Sequence, residues 1–148
     1  MAEEKKKLAV IILNWNGLNL LKQFLPTSVK YTTNHEVDLI IADNGSTDGS
    51  VKWIETSFPQ VKIIKFEQNY GFAEGYNRAV RETHYPFSIL LNNDVEVTSG
   101  WWQPILKFLE EHPDVSAVQP KIKSYRKKEY FRTYQQNRYD KQIPESAF

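Results

Sequence analysis

The chain has 148 residues, of which 41% are apolar and 25% are charged, a size and balance that suit one globular domain with a substantial core. It contains no cysteine, which excludes disulfides and thiolate metal sites. The formal net charge of +1 gives no electrostatic basis for binding nucleic acid, and no apolar run reaches the ~20 residues of a membrane-spanning helix.

The first residues combine a lysine cluster with a short apolar run that ends at Asn14. Because this run is brief and no small-residue cleavage site follows it, we interpret the start as a solvated segment leading into a buried strand, and not as a signal peptide. This interpretation predicts a cytoplasmic protein.

Four apolar runs predict buried strands, at residues 8–14, 37–43, 61–66 and 87–92, and residues 115–119 form a weaker fifth candidate. The first, second and fourth runs are almost continuous in Val, Ile, Leu and Ala. Such runs are typical of parallel strands that are covered on both faces.

Helical patterns separate the predicted strands. The apolar faces consist of Leu18, Leu21, Phe24 and Leu25 before Pro26, of Val51, Ile54 and Phe58 before Pro59, of Phe72, Tyr76, Ala79 and Val80, and of Trp102, Ile105, Leu106 and Leu109 before Pro113. Strand and helix alternate with short connections. The pattern predicts an α/β fold, a three-layer sandwich with a mostly parallel central sheet.

Each of the first four predicted strands is followed by a polar segment rich in Asn, Asp and Gly. These segments are residues 14–17, 43–49, 68–72 and 92–94. Ligands of parallel α/β sheets bind beyond the carboxyl ends of the strands. We therefore expect the four segments to form one polar site.

The segment ADNGSTDGS begins with Asp43, which could accept hydrogen bonds from sugar hydroxyls or a base N–H. The remainder fits turn chemistry, because Asn44-Gly45 favours positive φ and a residue of 46–48 can cap the next helix. In the segment NYGFAEGYNRAV, Gly75 interrupts a helical pattern at a cost of about 1 kcal/mol, which indicates either close packing or a ligand.

The sequence lacks both the G-x-G-x-x-G and the G-x-x-x-x-G-K-[ST] phosphate-binding patterns, so any phosphate must be held differently. A divalent cation, Mg²⁺ or Mn²⁺, is the natural means, since it pairs one or two carboxylates with phosphate oxygens. Asp94 supplies such a carboxylate, and Asn92 or Asn93 could add an amide oxygen or hold a metal-bound water. The alternative is an Asx turn without a metal.

As an ordered set, these segments resemble the nucleotide-sugar-dependent glycosyltransferases of family 2, which have the GT-A fold. The resemblance rests on IILNWNG, IIADNGSTDGS, QNYGFAEGYNRAV and LLNNDVEV, and it covers residues 8–122. Within the family, the sequences of these segments are most similar to those of enzymes that build cell-surface polysaccharides, rhamnosyltransferase-like members among them.

The resemblance implies roles for individual residues. Trp15, with Leu13 and Asn14, matches the contact with the nucleotide base, and Asp43 matches the contact with base or ribose. The remaining nucleotide-sugar contacts are Asn69, Gly71, Phe72, Ala73, Asn77, Asn92 and Asn93. Asp94 matches the last acid of the family's D-x-D motif, which binds the metal, although the first position of that motif is Asn92 here.

The implied reaction moves a sugar from a nucleotide-diphosphate donor to an acceptor hydroxyl with inversion. The family's general base lies in a second half, but the pattern fades after Ile122, and we assign no base to Glu129, Asp140 or Glu145. We therefore predict a nucleotide-sugar-binding domain at residues 1–122, a basic, tyrosine-rich tail at residues 123–148, and a truncated acceptor half.

The implied partners are a nucleotide-sugar donor and a carbohydrate or lipid-linked acceptor, with peripheral association at the inner membrane face as a further expectation. No nucleic acid is expected, and the oligomeric state is left open. Two alternatives remain at this point: a truncated module that binds a nucleotide sugar without turnover, and an unrelated nucleotidyltransferase that releases pyrophosphate from a nucleoside triphosphate.

Overall fold

The computed structural model describes residues 6–125. Two compact units divide the chain, one ending at Thr98 and the other beginning at Ser99. The first contains β1 (Leu8–Asn14), α1 (Leu18–Thr32), β2 (Val37–Asp43), α2 (Ser50–Ser57), β3 (Lys62–Lys65), α3 (Phe72–Thr83) and β4 (Phe87–Asn92). The second contains α4 (Gln103–Glu111). The predicted boundary at residue 122 stays a prediction, and residues 126–148 of the predicted tail lie outside the described part.

The sheet of the first unit has four parallel strands in the order β3-β2-β1-β4. β1 and β2 pair over their whole length, from Leu8 with Val37 to Asn14 with Asp43. β4 pairs with the other side of β1, up to Leu13 with Asn92. The chain therefore reverses its winding direction between β1 and β4, and this is the position where open parallel sheets bind ligands.

Helices cover the sheet and bury its apolar residues. Ala9 and Ile11 of β1 and Ile40 of β2 pack against Ala79 of α3 in one buried cluster. Since successive side chains of a strand alternate between faces, Val10 and Ile41 face the opposite side, where α1 contacts β2. The predicted α/β sandwich with a parallel sheet is confirmed.

Two details differ from the sequence-based expectation. α1 continues past Pro26 to Thr32, because Pro26 is exposed and the carbonyl that it leaves unpaired can bind water. The fifth strand expected at residues 115–119 is wrong, since no strand forms there. This segment has only two β-branched residues and Pro120 follows it, so its intrinsic preference for a strand is weak.

Among the helices of residues 6–125, none combines the length and the apolar character needed to cross a membrane.

Candidate functional site

A cavity of about 310 Å³ opens at the carboxyl ends of β1, β2 and β4. Its volume falls at the lower end of the range of roughly 300–1,000 Å³ for small-molecule sites. The lining residues are Leu13, Trp15, Asn44, Asn69, Gly71, Phe72, Asn92, Asn93 and Asp94. Eight of these nine were predicted from the sequence, and the structure brings them together in one place.

The lining includes two exposed aromatic side chains. Trp15, just after β1, is 56% exposed, and Phe72, the first residue of α3, is 67% exposed. The Phe72 ring packs edge-on against Tyr76, with ring centroids 5.1 Å apart. Large aromatic rings that remain in water beside a cavity offer surfaces on which a flat ligand can stack.

Asn14 is fully buried and does not line the cavity. Its Nδ2 group donates to Asp43 Oδ1 at 3.0 Å, to Ser50 Oγ at 3.0 Å and to Ser46 Oγ at 3.2 Å. Its Oδ1 accepts a hydrogen bond from Asn93 Nδ2 at 3.3 Å. We call these five residues the Asn14 network. It connects the ends of β1 and β2 and the start of α2 to the turn after β4.

Asp43 is buried as well, at 3% exposure, and is absent from the lining. Its Oδ1 accepts from Asn14, and its Oδ2 accepts the backbone N–H of Ser46 at 2.9 Å. Both oxygens therefore shape the loop after β2. The expected contact of Asp43 with a base or ribose stays a prediction.

Asn44 lines the cavity, although the sequence was interpreted there only as a turn. Its Nδ2 group donates to Asn69 Oδ1 at 2.8 Å and to the Gly71 carbonyl at 3.0 Å. Its Oδ1 accepts the backbone N–H of Tyr70 at 2.9 Å. Gly45, at φ +76°, lets the two loops touch, since a Cβ there would lie 2.8 Å from the backbone of Gln68. Asn44 thus fixes the loop that precedes α3.

Strand alternation would have identified Asn44. Leu13 lies on the α3 side of the sheet, as do Ile11 and Ala42. Asn44 follows Ala42 by two positions, so it belongs to the same face, whereas Asn14 and Asp43 belong to the other. Gly75 supports this arrangement, because its missing Cβ would lie 2.9 Å from Leu13 Cδ1 and 3.1 Å from Asn44 Nδ2.

Two predicted contacts on α3 do not reach the cavity. Ala73 and Asn77 are exposed and absent from its lining. Ala73 is one helical position after Phe72 and Asn77 five positions after it, and rotations of about 100° per residue turn both away from the direction of Phe72. Their role in binding stays a prediction.

The loop after β2 also begins two helices. Asp48 Oδ1 accepts the backbone N–H of Ser50 at 3.0 Å, and its Oδ2 accepts that of Leu18 at 2.8 Å. Burial raises the pKa of Asp48, but hydrogen bonds from Ser50 and Leu18 outweigh it and lower the pKa below its ordinary value. The predicted capping role of Asp48 therefore extends to α1 as well as α2.

Asn92, Asn93 and Asp94 form the polar end of the lining. Asp94 is exposed. Burial raises the pKa of Tyr76, and the negative charge of Asp94 raises it further. The Tyr76 hydroxyl donates to the Leu91 carbonyl at 2.8 Å. Within residues 6–125 no three or more His, Cys, Asp or Glu side chains cluster as metal ligands. One carboxylate flanked by amides still fits a hard cation that takes its other ligands from phosphate and water.

The model of the Glycosyl transferase family 2 matches residues 9–146 of the chain. An N-acetylglucosaminyl-diphospho-decaprenol L-rhamnosyltransferase of Mycobacterium tuberculosis is 25% identical over 127 residues, which are 78% of this chain and 41% of that protein. A teichoic acid poly(glycerol phosphate) polymerase of Staphylococcus epidermidis is 29% identical over 97 residues, which are 63% of this chain and 13% of that protein. The chain thus spans less than half the length of these relatives.

A similar fold occurs in S. aureus TarS (residues 1–349), solved in complex with UDP-GlcNAc. The TM-score is 0.63 at 19% sequence identity, and the match covers 78% of this chain and 37% of that one. The family match removes the support for an unrelated nucleotidyltransferase.

Proposed function

The chain belongs to glycosyl transferase family 2, and we propose that it binds a nucleotide-diphosphate sugar and takes part in transferring the sugar to an acceptor hydroxyl with inversion. The observation that carries this proposal is that Trp15 and Asp94 line the same cavity. An aromatic surface and a free carboxylate are the two groups that a nucleotide base and a metal-bound diphosphate require.

The donor lies in the cavity with its base toward Trp15 and its diphosphate toward Asp94. The S. aureus neighbour with bound UDP-GlcNAc supports a donor of this class. Apolar surface and amide groups between the two ends are offered by Leu13, Asn69, Gly71 and Phe72. We propose these four residues as donor contacts, together with Asn92 and Asn93.

A divalent cation is part of the proposal, because the lining contains no Lys or Arg. A diphosphate brings several negative charges, and the single carboxylate of Asp94 would repel it without a counter-charge. Asp94 would hold Mg²⁺ or Mn²⁺, with Asn92 or Asn93 as an amide ligand or as the holder of a bound water. When bound, the cation neutralises charge that develops on the leaving nucleoside diphosphate.

The acceptor side is proposed only as a class. The names of the two curated relatives support a carbohydrate or lipid-linked acceptor in cell-surface polymer synthesis. Peripheral association at the inner membrane face is a further part of the proposal. Inversion requires a base that takes the proton of the acceptor hydroxyl during in-line attack. Asp94 is the one acid of the lining, and its place at the metal leaves no general base among the lining residues.

That last observation favours a second candidate function, a donor-binding module that holds a nucleotide sugar without transferring it. Transfer of the sugar from added donor by the purified protein separates the two functions. Tight donor binding without transfer to any offered acceptor favours the module.

The proposal is tested by a thermal-shift panel of UDP, GDP, ADP, CDP and dTDP, each with and without Mn²⁺. We expect a metal-dependent rise in melting temperature for one nucleotide, lost in Asp94→Ala. Glu82→Ala is the matched control, since Glu82 is an exposed acid of α3 that does not line the cavity. Equal behaviour of both variants, or no shift for any nucleotide, overturns the proposal.

A further inference from the structure

Asn14 directly precedes Trp15 in the chain and bonds to the residue before Asp94, yet it is fully buried. Its Nδ2 group contacts the loop after β2, through Asp43 Oδ1 and Ser50 Oγ, both at 3.0 Å. Its Oδ1 contacts the turn after β4, through Asn93 Nδ2 at 3.3 Å. One side-chain amide therefore joins the loop after β2 to the turn that carries Asp94.

This position requires an amide. One end of the side chain must donate to a carboxylate, and the other end must accept from the Asn93 amide. Leucine has a similar volume but does neither, which leaves the buried Asp43 and the half-buried Asn93 without these partners. Aspartate accepts at both ends and places a second negative charge beside Asp43.

The backbone near Asn14 leaves room for this contact. Gly17 is buried, and a Cβ at that position would lie 2.4 Å from Asn14 Oδ1 and 2.5 Å from Asn93 Nδ2. Any larger residue would therefore push between the two amides. The absence of a side chain at Gly17 allows the hydrogen bond between Asn14 and Asn93 to form.

We infer that Asn14 is a positioning residue for the turn that carries Asp94, and that it does not contact the nucleotide. The inference rests on the proposed function, since it concerns the same site. Asn93 directly precedes Asp94, so a fixed Asn93 side chain restricts where the Asp94 carboxylate can lie. Because Asn14 also holds Asp43, the distance between the loop after β2 and the metal-binding turn is set before the donor arrives.

A double-mutant cycle tests whether Asn14 acts through Asp94. Affinity is measured by calorimetry, with Mn²⁺, for whichever nucleotide of the panel the wild type binds. We expect Asn14→Leu to weaken binding roughly tenfold in the wild type and to weaken the residual, metal-independent binding of Asp94→Ala by less than about twofold. The same loss in both backgrounds overturns the inference, because Asn14 would then act independently of Asp94.

Folding is controlled with Ser28→Ala, since Ser28 is a buried polar residue of α1 whose hydroxyl donates to the Phe24 carbonyl of the same helix at 3.3 Å. This variant should bind the nucleotide as the wild type does. If Asn14→Leu does not fold, Asn14→Ser takes its place, since it keeps a polar group but reaches neither partner.

A ligand-free measurement separates this inference from the proposed function. In ¹⁵N-labelled protein, the Asn93 side-chain amide resonances should move in both Asn14 variants and stay in place in Ser28→Ala. Mn²⁺ titrated alone should broaden the Asp94 backbone resonance at lower concentration in the wild type than in the Asn14 variants. Unmoved Asn93 resonances, or equal Mn²⁺ broadening, overturn the inference. A wild type that binds no nucleotide overturns the proposed function alone.

Discussion

Asn44 and Asn69 hydrogen-bond to each other through their side chains at 2.8 Å, although 25 positions separate them in the chain. Asn44 also bonds Tyr70 N and the Gly71 carbonyl, and it is 2% exposed. One buried side chain therefore makes three hydrogen bonds to the loop that supplies one wall of the cavity.

We predict that Asn44→Ala lowers the free energy of unfolding by about 2 kcal/mol, because it removes three partly buried hydrogen bonds, and that it also weakens nucleotide binding. Asn34→Ala is the matched control: Asn34 Oδ1 accepts the backbone N–H of Glu36 at 2.8 Å and of Val37 at 3.0 Å, before the start of β2. Chemical denaturation and calorimetry on both variants check this. Loss of nucleotide binding in Asn34→Ala would contradict a local role for Asn44.

The start of the sheet carries an ionic cluster around Asp38, which is 8% exposed. Lys6 Nζ lies 2.8 Å from Asp38 Oδ1, Lys62 Nζ lies 2.6 Å from Oδ2, and the Tyr85 hydroxyl donates to Oδ2. Burial raises the pKa of Asp38, but these hydrogen bonds outweigh it and lower the pKa from 3.8 to about 2.

This lowered pKa predicts acid sensitivity. Because the folded pKa lies below the unfolded one, the stabilisation is present above pH 3.8 and is lost as the pH falls toward 2. At about 1.4 kcal/mol per pKa unit, roughly 2 kcal/mol of unfolding free energy should disappear in that window. Urea denaturation between pH 6 and pH 2 measures it, in wild type and Asp38→Asn. If Asp38→Asn loses the same unfolding free energy over this pH range, the acid sensitivity comes from groups other than Asp38.

Trp15 is the aromatic residue for which the proposed function makes the sharpest prediction. Stacking on a base is worth about 1–3 kcal/mol, so Trp15→Ala should weaken nucleotide binding by roughly tenfold or more, whereas Trp15→Phe, which keeps a ring, should lose less. Nucleotide should quench tryptophan fluorescence in the wild type. The quenching should persist in Trp53→Phe, because the Trp53 ring packs on Phe58, with ring centroids 5.5 Å apart, and does not line the cavity. It should be lost in Trp15→Phe. Quenching that survives in Trp15→Phe would remove Trp15 from the base site.

The capping role of Asp48 leads to a stability prediction. Asp48→Ala removes the acceptor for Leu18 N and Ser50 N, and each lost cap costs about 1 kcal/mol. The variant should therefore unfold roughly 2 kcal/mol more easily near pH 7, as measured by denaturation. Since the pKa of Asp48 is lowered in the folded state, its contribution is present above the unfolded pKa and declines as the pH falls below it. At acid pH the difference in unfolding free energy between the wild type and Asp48→Ala should narrow. A difference that stays constant with pH would contradict the capping role of Asp48.

The sequence predicted the strands well where apolar residues follow one another without interruption. β1, β2 and β4 begin and end as expected, because their Val, Ile and Leu runs leave few alternatives. β3 is shorter, Lys62–Lys65 against the expected 61–66. Its two central residues are half-buried and its two end residues, Lys62 and Lys65, are exposed, so its ends depend on pairing with β2 and not on an apolar run.

The site was predicted less evenly, for a physical reason. Composition identified the polar strand ends, but it did not show which side each residue would face. Asn14 and Asp43, which are expected at the ligand, are buried outside the cavity lining and bond each other, so their expected nucleotide contacts stay predictions. Asn44 was expected in a turn, whereas it lines the cavity. The register of β1 with β2 pairs Asn14 with Asp43. Because side chains alternate along a strand, Asn44 then lies on the opposite side of the sheet from Asn14.

Gly17 provides the last prediction, because it tests the Asn14 network without removing any polar group. In Gly17→Ala the new Cβ would lie 2.4 Å from Asn14 Oδ1 and 2.5 Å from Asn93 Nδ2, so the two amides must separate. We expect a loss of about 1–3 kcal/mol of stability from this overpacking and a weaker, metal-dependent nucleotide affinity. Gly100→Ala is the control, since that position has φ +75° and open space around its missing Cβ. Gly100→Ala should lower stability through backbone strain alone. If it also lowers nucleotide affinity as much as Gly17→Ala does, general destabilisation explains the affinity loss in both variants.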